Sequence, residues 1–133
     1  MSELLTAAAI LAVNDLKIEK VETPEWGGHV CVRSMSGTDR DLWEADNIKK
    51  NKQDKYDLNL ANMRARLCTK TICDDQGALL FNESQIAELG RKNAAALDRC
   101  FAVAQRLSGI SKQDLEEMGK NSESSRSADS SSN

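Results

Sequence analysis

The chain has 133 residues, of which 40% are hydrophobic, 29% charged and 4% aromatic, with a formal net charge of −3. That length fits one domain, and the near-balanced charge excludes both a basic nucleic-acid binder and a wholly disordered acidic chain. With two Trp, two Phe and one Tyr, the core must be built from Leu, Ile, Val, Ala, Met and Cys, which favours packed helices over an all-β sandwich.

The first predicted element is a short helix from Thr6 to Val13, rich in alanine and leucine and capped by Thr6. Glu3 stands where a signal peptide carries Lys or Arg. The apolar run from Leu4 to Val13 is interrupted by Thr6 and is far shorter than the ~20 residues a membrane span requires. The expectation is a cytoplasmic protein with no membrane partner. Its cysteines, Cys31, Cys68, Cys73 and Cys100, are then reduced and mostly buried.

A β-hairpin follows. Ile18 and Val21 mark one strand, and Val30, Val32 and Met35 a second, with Cys31 and Arg33 facing the other way. Pro24 has no N–H for a ladder, so pairing stops there, and Gly27-Gly28 supplies the turn. Ser36 and Asp39 start a helix that runs to about Lys49, with Leu42, Trp43, Ala45 and Ile48 as a thin apolar face. The lysine-rich stretch KKNKQDKYD reads as a mobile loop or frayed helix end.

From Asn59 to Ile72 the spacing of Leu60, Met63, Leu67 and Ile72 predicts another helix. Asp74-Asp75-Gln76-Gly77 is a turn, and Ala78 to Phe81 a short extended run. Asn82 and Gln85 form a reciprocal cap for a helix carrying Ile86 and Leu89, ended by Gly90. The clearest helix runs from Asn93 to Leu107, with Leu97, Cys100, Phe101, Ala104 and Leu107 on one face. Ser108-Gly109-Ile110 stops it, and Ser111 to Gly119 restarts a short helix. These elements define an α+β domain over residues 1–119: an N-terminal hairpin with several short helices, predominantly helical. Residues 120–133 form a serine-rich tail with too few apolar groups to offset its ordering entropy.

No motif carries reactive chemistry, so no cofactor, metal or catalytic residue is assigned. His29 and Cys31 make an H-x-C pair, but Cys68 and Cys73 are too far apart for a zinc loop. Gly27-Gly28 lacks the context of a phosphate-binding loop. Lys49, Lys50, Lys52 and Lys55 are diluted by Asp54 and Asp57, which fits a solvated loop better than a nucleic-acid contact. Trp26 at the hairpin tip and Trp43 on a weakly apolar helix are the candidate partner-binding residues, because Trp is enriched at interface hot spots.

Several stretches together resemble the tail assembly chaperones of long-tailed bacteriophages and prophages. They are VETPEWGGHVCVRSMSG followed by DRDLWEA, then LANMRARL, DDQGALLF and AAALDRCFAVAQRLSGIS. The resemblance runs from about Leu4 to Lys120 and leaves out the serine-rich tail. It implies a non-enzymatic protein of the host cytoplasm that acts in tail morphogenesis and is absent from the mature virion. It also implies binding to the tape measure protein, recruitment of tail tube subunits and self-association. The alternatives are a small structural tail or head–tail completion protein retained in the virion, and a metal- or nucleic-acid-binding regulator using His29, the cysteines and the lysine loop. A chaperone of helical clients needs exposed apolar surface. The helices Asn93–Leu107 and Asn59–Ile72 are expected to supply it, with Met35, Met63 and Met118 as adaptable contacts.

Overall fold

Pro24 and Gly27 set the geometry around which the rest of the chain packs. In the computed structural model, which describes residues 2–111 together with Gln113 and Asp114, β1 (Ile18–Thr23) and β2 (Gly28–Arg33) pair antiparallel. Ile18 lies opposite Arg33 and Thr23 opposite Gly28. Between them Pro24–Trp26 forms one 3₁₀ turn, closed by Gly27 at φ +79°. That left-handed conformation costs glycine nothing and a β-carbon residue a good deal. The Thr23 hydroxyl donates to the Gly28 carbonyl at 2.9 Å and locks the neck of the turn.

β5 (Ile72–Cys73) adds a third strand, antiparallel to β2, giving the order β1-β2-β5. Two helices cover this small sheet and build the core. α3 (Met63–Thr69) has every residue from Ala65 to Thr69 buried. α5 (Ala94–Leu107) buries Ala96, Leu97, Cys100 and Ala104, and its cap is the Asn93 side chain, which accepts from the Ala95 and Ala96 N–H groups. Leu67 and Leu97 are buried, and Phe101 packs against the core half-buried. α5 ends as expected. Gly109 is left-handed (φ +73°), the Ile110 N–H donates to the Gln105 carbonyl, and Ile110 is itself buried. Ser111 and Asp114 cap each other reciprocally. The remainder of the helix predicted there, and the serine-rich tail, lie outside the described residues.

Three expectations need correction. α2 (Gly37–Asp46) starts at Ser36 as predicted, its hydroxyl accepting from the Asp39 N–H, but it stops at Asn47, short of Lys49. Ile48 therefore leaves the helix, and the lysine stretch is no loose loop. β3 (Ile48–Lys50) and β4 (Tyr56–Leu58) make a second hairpin. Its turn is held by the Asn51 side-chain oxygen, which accepts from the Gln53 and Lys55 N–H groups, with Asp54 left-handed at φ +64°. The helix predicted over Asn59–Ile72 is shorter than its apolar spacing implied: Leu60 is exposed, and Ile72 belongs to β5.

The second hairpin is fastened to the core by a buried guanidinium. Arg66 donates to the Asn47 side-chain oxygen at 2.7 Å, to the Asn59 carbonyl at 2.7 Å and to the Ala61 carbonyl at 3.0 Å. Burial pulls its pKa down, opposed by the nearby Asp46 carboxylate. Three oxygens around one planar cation satisfy the charge that burial would otherwise penalise.

α4 (Ile86–Gly90) follows the 3₁₀ turn Glu83–Gln85, and the predicted Asn82–Gln85 capping box is present. As expected, the helix ends at Gly90. The glycine there also allows close approach, because a β-carbon would overlap the Asn62 side-chain oxygen. α1 (Ala7–Ala12), capped by Thr6 as predicted, has no buried residue at all.

Candidate functional site

The two candidate tryptophans lie in different environments. Trp43 is the one buried residue of α2, with no exposed surface. It meets Phe101 edge to face at a centroid distance of 6.5 Å. Its indole N–H has no hydrogen-bond partner, so its contribution is apolar volume and ring contact. A side chain so enclosed has no surface left for a partner in this conformation.

Trp26 has surface to offer. The 3₁₀ turn holds its ring at the hairpin tip, half-buried against the core. There it forms one wall of an open groove of about 420 Å³. Phe81 and Leu89 complete the apolar lining, while Gln85, Glu88 and Lys92 add polar groups. Two features of the sequence create this space. The Asn82–Gln85 capping box fixes the start of α4, which brings Leu89 inward. Pro24 and Gly27 fix the turn that carries Trp26. Leu79 and Leu80, both exposed, lead directly into Phe81.

The hairpin tip is also clamped electrostatically. Arg99 on α5 donates to the Glu22 carbonyl at 2.9 Å and pairs with the Glu25 carboxylate. The hydrogen bond from Arg99 holds the Glu25 carboxyl below its ordinary range. Glu25 immediately precedes Trp26, so this clamp fixes the ring's backbone.

A second apolar surface was legible in composition but not in its significance. Leu4, Leu5, Ile10, Leu11 and Val13 are exposed, Leu4 by 99% and Leu11 by 85%. They flank or belong to α1. By contrast, the helices expected to present an apolar stripe spend it on the core. Met35 is buried, Met63 is half-buried, and Met118 lies outside the described residues.

The residues considered for metal chemistry are dispersed. His29 is exposed on β2, and Cys31 faces Cys73 across the β2–β5 ladder, while Cys68 sits inside α3. Among the described residues no group of three or more His, Cys, Asp or Glu side chains is arranged to hold a metal ion. Burial pushes the Cys68 thiol well up and the Cys100 thiol up to about 11, which leaves both as inert thiols. One lysine of the second hairpin, Lys50, is partly neutralised within it. Lys50 pairs with Asp54 at 2.8 Å and lies over the Tyr56 ring, 5.9 Å from its centroid. No described helix is long and apolar enough to cross a membrane.

Comparison with known proteins bears directly on this arrangement. The family model described as phage tail assembly chaperone matches residues 5–121. The match takes in the hairpin, the groove and α5. Among solved structures, the tail assembly chaperone of bacteriophage HK97 superimposes with a TM-score of 0.52 at 18% identity, covering 69% of this chain and 85% of that one. At that identity the likeness concerns the fold. A comparison with curated proteins returns no match. With the family model spanning nearly the whole described chain, this protein belongs to the phage tail assembly chaperone family, and its role is non-enzymatic.

Proposed function

We propose that this chaperone binds the tape measure protein through the groove walled by Trp26, Phe81 and Leu89. The observation that carries the reading is an apolar groove with a polar rim in a protein whose family acts on tail proteins. A long helical client exposes apolar side chains at three- and four-residue spacing before the tail tube surrounds it. Covering those side chains keeps the client soluble, and the bound chaperone then recruits tail tube subunits. Self-association lets successive copies line one client. The protein acts in the host cytoplasm during assembly and is absent from the finished particle.

Co-expression with the tape measure protein of the same phage or prophage tests this. The expected result is a several-fold gain in soluble tape measure and its co-purification with the chaperone. Tape measure solubility indifferent to the chaperone, with no co-purification, overturns the reading. Mass spectrometry of purified particles separates it from a structural role: stoichiometric presence in the mature tail contradicts an assembly-only protein.

A further inference from the structure

We infer that the Trp26 groove reads charge as well as apolar surface: Glu88 takes a lysine or arginine of the client segment, and Lys92 takes a carboxylate about one helical turn away from it. This rests on the groove being the client site proposed above, and it adds the kind of segment that the groove accepts.

The two walls of the groove differ in how their charges are used. On the Trp26 side, Glu25 pairs with Arg99, and Glu22 with Lys20 at 3.2 Å. At the start of the other wall, Glu83 pairs with Lys70 at 3.6 Å. Glu88 and Lys92 also line the groove and stand exposed, yet among the described residues neither has an ion-pair partner. A Glu four residues ahead of a Lys ordinarily pairs with it on a helix. Here α4 ends at Gly90, and Lys92 is carried past the helix end, its N–H donating to the Leu89 carbonyl at 3.0 Å. No bridge closes between them, so the rim presents one free carboxylate and one free ammonium, about a turn apart.

A client helix laid in the groove meets Trp26, Phe81 and Leu89 with its apolar stripe. The residues flanking that stripe then face the rim. Rim charges add little raw affinity, but they reject like charges and fix register. The segment that fits therefore carries a base and an acid beside its apolar stripe, one turn apart. Segments flanked by two bases meet Lys92, and segments flanked by two acids meet Glu88, so both are disfavoured. The order of base and acid also sets which way the client helix runs along α4.

Three synthetic helical peptides of roughly 20 residues test this, each with the same leucine stripe. One carries a Lys and a Glu at the flanking positions, one carries two Lys, and one carries two Glu. Binding is read from Trp26 emission in the Trp43→Phe background, where Trp26 is the single tryptophan. The Lys/Glu peptide is expected to bind several-fold more tightly than either of the others. Glu88→Lys should place the two-Glu peptide first, and Lys92→Glu the two-Lys peptide. Glu88→Gln and Lys92→Gln, which only remove charge, should bring the three affinities together, as should ~1 M salt, where screening shortens to ~3 Å. Equal affinities for the wild-type rim, an order unchanged by the charge swaps, or no response to any peptide overturns the proposal. The groove's role as client site is read separately, from the tape measure protein recovered with Trp26→Ala.

Discussion

Trp43 and Trp26 are the same residue put to opposite uses. Trp43 sits in the middle of the domain, enclosed by α2 and α5, and holds α2 in place as its one buried residue. Trp26 rides on a clamped turn at the edge and gives part of its ring to an open groove. Burial alone marks the first as a structural residue and leaves the second available. Composition treats them alike; the difference comes from what precedes each. Pro24 and Gly27 fix a turn around Trp26, whereas Ser36 launches a helix that rotates Trp43 inward.

The sharpest way to test that division is to truncate the central ring. Trp43→Ala is expected to destabilise the domain by about 3–5 kcal/mol in urea unfolding. Trp43→Phe should lose far less, because the indole N–H makes no hydrogen bond to forfeit. Equal losses for the two would mean that the enclosed ring matters through its nitrogen, against the packing account.

Arg66→Met comes next. It leaves the oxygens of Asn47, Asn59 and Ala61 without their shared donor, an expected loss of about 2–4 kcal/mol. Hydrogen exchange should quicken first in β3 and β4, with the amides of β1 and β2 following only with global unfolding. Uniform acceleration would show that the second hairpin is not a separately fastened unit.

Gly90→Ala probes the boundary between core and groove. The overlap with Asn62 is expected to destabilise by about 1–3 kcal/mol. The double variant Gly90→Ala/Asn62→Gly should recover most of it, since glycine keeps the left-handed φ that Asn62 adopts. No recovery would place the strain elsewhere.

The smallest effect concerns the clamp beneath Trp26. The Glu25 carboxyl is held below its ordinary value chiefly by its hydrogen bond from Arg99. Its stabilisation is therefore present above the unfolded carboxylate range and lost as pH falls through the lowered folded value. Glu25→Gln should flatten the acid limb of a stability–pH profile slightly, leaving the neutral region little changed. An acid limb identical to wild type would remove the clamp from the account.

Much of this architecture was legible in the sequence because local signals agreed with the tertiary outcome. Ser36, Asn82, Asn93 and Gly109 act where their chemistry places them. The failures have physical causes. Leu60 and Ile72 sit at helical spacing, yet Asn62 turns left-handed before the helix and Ile72 pairs with Val32 after it. The lysine stretch hid a hairpin because its turn rests on the Asn51 side chain and on Asp54, which holds a positive φ without being a glycine. Gly90 ends its helix as expected, but a sequence does not show that Asn62 lies against it. The groove was the least accessible feature. Trp26 was singled out, but Phe81 and Leu89 reach it only through contacts distant in sequence.

The central claim is that the groove beside Trp26 takes the client. Its most direct test is the recovery of soluble tape measure protein co-expressed with wild-type chaperone, with Trp26→Ala and with Trp43→Phe, each checked for folding by circular dichroism. The account predicts a loss on the order of tenfold in co-purified client for folded Trp26→Ala and near-wild-type recovery for Trp43→Phe. Undiminished recovery with Trp26→Ala would contradict it.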